Sequence, residues 1–310
     1  MKVVVTGGSG NVGGAVARHL ASSGHDILVL DVRRPRVPLP EGIRFRLMDL
    51  SVRETFEPIL DDFKPDAIAH LGELNSNYAD REDRVYARNA AVTGNVLTTC
   101  AEVGLKRIVY ASSCQVYAQF GMASSLESSG PARWPLDESE PVRPCTAYGV
   151  QKVAAELQLH SLARRYGVYG VALRMPATNS PRRLHYHFRY KQMTSEMLTE
   201  LGAWLAIDDA ARAFETCLTI DWPDAWKLEL EPDGGFAARN VAAKSVLRPE
   251  GGGTLQELLA ERHPKMRPMP DDWPADRPLF SSELLMRETG WEPKVSVEDV
   301  IAMAEEAASK

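Results

Sequence analysis

Val3-Val4-Val5-Thr6-Gly7-Gly8-Ser9-Gly10-Asn11-Val12-Gly13-Gly14 opens on a short β-branched run and then places five glycines in eight positions. Beyond it, Val12, Val16 and Leu20 recur at helical spacing among alanines until Ser22-Ser23-Gly24 stops them. Ile27-Leu28-Val29-Leu30 then reads as a second buried strand and ends on Asp31. Strand, glycine turn, helix, strand, acid is the order of a βαβ unit that binds a dinucleotide. Gly8-x-Gly10-x-x-Gly13 has the required spacing, and Asp31 follows Gly13 by 18 residues. Glycines permit the tight turn and let a pyrophosphate approach backbone N–H groups at a helix N-terminus. The spacing alone is weak evidence; its position between a strand and a helix gives it weight.

Outward from that unit the same alternation continues. Strands are expected at 43–47, 67–71, 107–111 and 168–173, with helices at 52–62, 83–103 and from Tyr148 onward. Residues 118–143, rich in Ser, Gly and Pro, read as an extended loop. The expected fold class is therefore α/β, a Rossmann-type doubly wound parallel sheet. After Arg174 the pattern becomes irregular, and a smaller C-terminal substrate-binding lobe is expected. Residues 1–174 form the dinucleotide-binding domain on this reading, with 204–230 returning to it through a helix from Asp208 and a strand near 226–230. Residues 175–203 and 231–310 make the lobe, the stretch 231–280 reading as loops around a helix at 254–262, with closing helices at 281–289 and 296–308.

Bulk properties exclude several classes. The 310-residue chain is 44% hydrophobic and 25% charged, as in ordinary globular proteins. Its net charge of -6 argues against a nucleic-acid partner held by a general basic surface. No apolar run approaches the roughly 20 residues of a membrane span. Met1 to Thr6 run directly into the first strand, so no signal peptide is expected. Cys100, Cys114, Cys145 and Cys217 show no Cys-x-x-Cys spacing, which points to a reducing cytoplasm.

Pro144-Cys145-Thr146-Ala147-Tyr148-Gly149-Val150-Gln151-Lys152 carries the chemistry. On a helix, Tyr148 and Lys152 share one face. A free phenol titrates near pH ~10, and a neighbouring cation favours the phenolate. Tyr-x-x-x-Lys also arises by chance on amphipathic helices, so the pair draws its meaning from the glycine turn and Asp31.

Thr6-Gly7-x-x-Gly10-x-x-Gly13, Ser112-Ser113, Tyr148-x-x-x-Lys152 and Gly290-Trp291-x-Pro293 together resemble the extended short-chain dehydrogenase/reductases, the group of NAD-dependent sugar epimerases and dehydratases. The resemblance spans nearly the whole chain. It implies that Tyr148 exchanges a proton with the substrate hydroxyl, that Lys152 holds the nicotinamide ribose and lowers the tyrosine's pKa, and that Ser113 hydrogen-bonds the reacting oxygen. It implies NAD contacts from Gly7, Gly10, Asn11, Val12, Gly13, Asp31, Arg33, Asp49, Leu50, Leu71, Gly72, Asn89 and Pro176, besides Tyr148 and Lys152. A carboxylate at Asp31 suits the ribose hydroxyls of NAD and repels a 2′-phosphate. Arg33 and Arg34 stand nearby as groups that could receive such a phosphate. A homodimer through the helices at 83–104 and 148–166 is also implied.

Departures from the family pattern bear on the substrate. Cys114-Gln115 follow Ser113 where dehydratases carry acids, which disfavours elimination. Ala118 and Ala177 replace the usual Gly and Asn. The segment from Arg174 to Asp208 is short for a nucleotide-sugar pocket, implying a smaller substrate. Ser112-Ser113, His70-Leu71-Gly72 and Trp204-Leu205-Ala206-Ile207-Asp208-Asp209 are similar to uronate dehydrogenases. Tyr148-Gly149-Val150-x-Lys152 and Asp272-Trp273-Pro274 look like short-chain-type threonine dehydrogenases. Substrate contacts are expected from Ser113, Cys114, Gln115, Tyr148, Arg182 and Arg183, within a basic aromatic stretch at 182–190. Arginine forks suit carboxylates, and aromatic faces suit sugars. His185-x-His187 lacks further ligands at metal spacing, so no metal is expected. The expectation is an NAD-dependent dehydrogenase or epimerase acting on a small sugar, sugar acid or hydroxy acid, the other class being an idle NAD-binding regulatory protein.

Overall fold

The computed structural model describes residues 1–74, 81–117, 130–184, 201–228, 233–246, 253–264 and 266–308. One eight-stranded sheet organises them. Its strands are β1 (Lys2–Thr6), β2 (Asp26–Asp31), β3 (Arg44–Leu47), β4 (Ala67–His70), β5 (Arg107–Ser113), β6 (Tyr169–Met175), β9 (Lys227–Leu228) and β10 (Gly234–Asn240), in the order β3-β2-β1-β4-β5-β6-β10-β9. All neighbours run parallel except β9 against β10. A second, two-stranded sheet pairs β7 (Ala177–Asn179) with β8 (Trp204–Ala206).

Period-two alternation sorts the strand residues onto two apolar layers. Val3, Val5, Ile27 and Val29 face α1 (Asn11–Ser22) and α5 (Ile207–Thr219), whose Val16, Leu20 and Phe214 complete that core. Val4, Leu28, Leu30 and Ile68 face the other way. They pack on α2 (Arg53–Phe63), α3 (Glu82–Glu102) and α4 (Ala147–Tyr166) through Phe56, Val96 and Leu159. Strands buried on both faces read as continuous apolar runs, which is why Val3–Val5 and Ile27–Leu30 were legible. The helices that cover the two faces wind the sheet in opposite directions from β1. The carboxyl ends of β1 and β4 therefore part at a topological switch point, where such sheets bind ligands.

The strand expected near 226–230 is present as β9, and the sequence reading misses the longer strand beside it. Lys227–Leu228 form only the edge of the sheet, and the inserted strand is β10, within a stretch read as loop. Gly234-Gly235 hid it, because glycine is a poor strand former. Both are required by close packing. A Cβ at Gly234 would lie 2.7 Å from the Ala163 carbonyl oxygen, and one at Gly235 would lie 2.5 Å from that of Trp226.

A third, smaller core sits past the carboxyl ends of the strands. Val116, Tyr117, Leu136, Leu201, Leu255 and Phe280 build it. The helix Leu255–Arg262 starts with a capping box between Thr254 and Glu257. The helix Glu283–Thr289 ends at Gly290, whose φ of 71° supplies the left-handed C′ position. Asp209, in the first turn of α5, accepts the backbone N–H groups of Lys294 and Val295 at 2.8 and 3.0 Å. The indole of Trp291 donates to the Asp209 carbonyl. The Gly290-Trp291 motif thus fastens the chain's end to the main sheet. Among the described residues, no helix is long and apolar enough to cross a membrane.

Candidate active site

The glycine turn after β1 is drawn tight. Gly7 has φ of 71°, and a Cβ there would sit 2.5 Å from the Leu71 carbonyl oxygen. A Cβ at Gly13 would lie 2.8 Å from the Gly7 carbonyl carbon and closer still to its oxygen. These residues pack backbone on backbone, so α1 begins directly above the end of β1. No side chain caps α1 at Gly10, which leaves its first-turn N–H groups for an anion. Asp31 is buried and accepts the N–H of Ser9 and of Arg33, both at 3.0 Å. It ties the turn to the end of β2 and retains a second lone pair on each oxygen for ribose hydroxyls. The residues present therefore fit the two phosphates and adenosine ribose of a dinucleotide.

α4 brings the proton-transfer group in. Thr146 caps the helix, its Oγ1 accepting the Gly149 N–H at 3.0 Å. A Cβ at Gly149 would fall on the Gln115 carbonyl oxygen, well inside van der Waals contact. Only glycine lets the start of α4 press against the turn that follows β5, and so Tyr148 is carried to the turn of Cys114 and Gln115. Ser113 caps that turn, its Oγ accepting the Gln115 N–H at 3.2 Å. Lys152 lies one turn below Tyr148 with its side chain 4% exposed. Its Nζ is 5.1 Å from the Tyr148 ring centroid and donates to the Ala111 carbonyl at 2.6 Å.

Glu73 is the residue that sequence reasoning passed over. The stretch His70-Leu71-Gly72 reads for its family likeness and for cofactor contacts at Leu71 and Gly72, and the acid after it has no role in that reading. Its carboxylate is buried, 4% exposed, and pairs with the Lys152 ammonium. It also accepts from Gln151 at 2.8 Å, from the Tyr110 hydroxyl at 3.1 Å and from Thr93. Burial opposes both charges, but the attraction wins: Glu73 is held below the usual carboxylate range and Lys152 above the usual ammonium range. For Tyr148 the balance goes the other way. Burial pushes the phenol up, Lys152 offsets that in part, and Glu73 adds to the rise. Lys152 thus lowers the phenol's pKa as expected, and burial and Glu73 outweigh it in this structure.

A directed hydrogen-bond chain continues inward from Glu73. Thr6 Oγ1 accepts the N–H of Leu71 and Gly72, both at 3.0 Å, so its own proton goes to His70 Nδ1 at 2.7 Å. His70 Nε2 then carries the ring proton to Thr93 at 2.9 Å, and Thr93 donates to Glu73. Burial lowers His70 to about 4, in keeping with a neutral ring. A second buried cluster braces β5, β6 and α4: Ser112 donates to Glu156 at 2.6 Å, and Arg174 holds Glu156 at 2.7 Å and Tyr117 at 2.8 Å.

The other expected contacts divide. Asn11 and Val12 stand in the first turn of α1, and Leu71 and Gly72 follow β4 directly. Leu50 packs over Gly72. Asp49 accepts from Ser51 and Arg88 and is pulled below its ordinary value by those bonds, which outweigh burial. Asn89 is buried with both amide atoms bonded to the Leu74 backbone at 2.8 Å, so in this structure it pins the segment after β4. Pro176 is buried after β6. Arg182 and Arg183 are exposed, at the end of a described segment that leads from β7. His185, Tyr186, His187, Phe188, Arg189 and Tyr190 lie outside the described residues. Among the described residues, no cluster of three His, Cys, Asp or Glu could hold a metal ion.

Comparison with known proteins agrees with this geometry. Residues 3–220 match the model of the NAD dependent epimerase/dehydratase family. The chain is 29% identical over 265 residues to 2'-dehydrokanamycin reductase of Streptomyces kanamyceticus, covering 85% of this chain and 63% of that protein. It is 29% identical to D-erythronate dehydrogenase of Haemophilus influenzae over 57% of this chain and 54% of that one. UDP-glucose 4-epimerase of Azospirillum brasilense matches at 27% identity over 94% of this chain and 87% of that protein. The chain spans little more than half the length of several of these curated relatives. Among solved structures, UDP-glucose 4-epimerase of Thermotoga maritima superposes with a TM-score of 0.68 at 19% identity, covering both chains fully. A partial-consensus L-threonine 3-dehydrogenase gives 0.70 at 16%, again over both whole chains. At such identities the two superpositions show the fold alone. With more than two-thirds of its length under the family model, this chain belongs to the NAD-dependent epimerase/dehydratase family.

Proposed function

We propose that the protein is an NAD(H)-dependent oxidoreductase acting at a secondary alcohol carbon of a small sugar, sugar acid or hydroxy acid. One observation carries the reading: Tyr148, braced by buried Lys152, faces the Ser113 turn at the carboxyl ends of the strands, beside the glycine turn. The nicotinamide supplies the hydride chemistry when bound. Gly7, Gly10 to Gly13 and the start of α1 take the pyrophosphate, and Asp31 takes the adenosine ribose. Arg33, Asp49, Leu50, Leu71, Gly72, Asn89 and Pro176 line the remainder of the cofactor's path. Ser113 orients the reacting oxygen, whose proton is exchanged with Tyr148. Cys114, Gln115, Arg182 and Arg183 border the substrate.

The UDP-glucose 4-epimerase match, which covers 94% of the chain, favours a second reading. In it the hydride returns to the same substrate and no NADH accumulates. Mixing the protein with NAD and a panel of aldoses, sugar acids and hydroxy acids separates the two. NADH absorbance rising with substrate supports the dehydrogenase; a changed sugar without NADH supports the epimerase. Neither outcome with any of the panel would count against both. Titration with NADH and NADPH tests Asp31, and tighter NADPH binding would overturn its assignment. A homodimer through α3 and α4 in a reducing cytoplasm completes the proposal. Val150 and Leu157, seven residues apart on α4 and 43% and 64% exposed, support the dimer, which a solution mass measurement checks.

A further inference from the structure

We propose that Glu73 is a positioning residue for the redox chemistry, the anion that seats the Lys152 ammonium beneath Tyr148 and offsets its charge there. The proposal rests on the oxidoreductase reading for its meaning but not for its geometry. An ammonium has three N–H bonds. Two of those of Lys152 go to Glu73 and to the Ala111 carbonyl, and its Nζ lies 5.1 Å from the Tyr148 ring centroid. Glu73 is itself fixed by three further side chains, Thr93 on α3, Tyr110 on β5 and Gln151 on α4. The carboxylate is therefore locked, and it locks Lys152 in turn.

The groups facing Tyr148 are Lys152 from its own helix, Glu73 after β4, and Cys114 after β5, with Tyr110 and neutral His70 behind Glu73. Lys152 is the cation in this set and Glu73 the anion. Together they present the phenol with a nearly neutral pair. A tyrosine beside a bare buried ammonium would ionise readily; one beside this pair keeps its proton. Such a hydroxyl is set to donate to a substrate carbonyl as hydride arrives, so the resting site is arranged for the reductive direction. When the tyrosine has given up its proton, the Lys152 ammonium held beside its ring stabilises the phenolate. A neutral amide at position 73 would keep the shape and remove the offset.

Glu73→Gln tests this in the cofactor-free protein. Phenolate absorbance is followed against pH, each protein being read as the difference from its Tyr148→Phe counterpart. Tyr148 is expected to ionise at lower pH in Glu73→Gln than in the wild type, with NADH binding retained. An unchanged or higher ionisation pH would overturn the proposal. Should Glu73→Gln not fold, Lys152→Met and the double variant Glu73→Gln/Lys152→Met provide the same comparison, since removing both partners spares the uncompensated charge. Equal titrations in those two would also overturn it. A wild-type protein that failed to bind NADH would sink the oxidoreductase reading, and leave the titration result standing as a property of the site.

Discussion

Glu156→Ala removes one half of the buried pair that braces β5, β6 and α4. Arg174 and Glu156 are each 6% exposed, and two guanidinium nitrogens reach the carboxylate at 3.0 and 2.7 Å. Burial works against the Arg174 charge, and Glu156 more than restores it, raising the guanidinium's affinity for its proton. Without Glu156 the cation stays in the interior with the Tyr117 hydroxyl and ring as its near partners among the described residues, and Glu138 as a more distant anion. Breaking a buried pair in this way costs about 3 to 5 kcal/mol. A chain of 310 residues has an unfolding entropy of about 0.65 kcal/mol/K near its melting temperature. The Tm should therefore fall by about 6 °C. Differential scanning calorimetry or near-ultraviolet circular dichroism reads this directly. Glu156→Leu combined with Arg174→Met, which removes both charges at similar volume, should recover most of the loss. A Glu156→Ala protein melting within about 1 °C of the wild type would refute the reasoning, because Arg174 would then have found another partner or water.

Further outcomes follow from the glycines and from His70. Gly13→Ala forces the start of α1 off the Gly7 carbonyl, so NADH affinity measured by fluorescence titration should fall more than about tenfold, at a stability cost of about 1–3 kcal/mol. Gly94→Ala is the control, since its Cβ would come no nearer than 4.0 Å to Gln158; it should stabilise α3 by up to about 1 kcal/mol in urea unfolding. His70 binds its proton only near pH 4 when folded but near 6.5 when unfolded. The unfolded chain therefore takes up more protons between those values, and stability falls as pH drops below about 6.5. The loss between pH 7 and pH 5 should be about 2 kcal/mol from this group, and His70→Gln should flatten that part of the profile. Parallel profiles for the two proteins would contradict the assignment.

Most of the main sheet was legible because its strands are buried on both faces. Val3–Val5, Ile27–Leu30 and Ile108–Ala111 can be little else beside the glycine turn and the long helices. Tyr148 and Lys152 were legible as an i, i+4 pair, and Ser113 through the family resemblance. Three things were not. β10 begins on Gly234-Gly235, whose lack of side chains is demanded by tertiary packing and which looks like a turn in isolation. Glu73 is one acid after a glycine; its partners come from α3, β5 and α4, 20 to 79 residues further on. A lone acid three residues past His70, at the mouth of a buried strand, was the available signal. Tyr148's net balance depends also on burial and on that hidden carboxylate, so the sequence pair showed the lowering by Lys152 and not the rise that outweighs it. The bonds of Asn89 to the Leu74 backbone were hidden in the same way, since they join residues 15 apart across the end of a strand.

The central claim is that Tyr148 passes the proton while NAD takes or gives the hydride. Tyr148→Phe, assayed by NADH absorbance with the substrate that the wild type turns over, addresses it most directly. Loss of a positioned general acid or base should lower turnover roughly 10²- to 10⁴-fold. NADH binding should stay within a small factor of the wild type, since Lys152 keeps Glu73 and Ala111 as partners. Turnover within about tenfold of the wild type, with NADH still bound, would contradict the account.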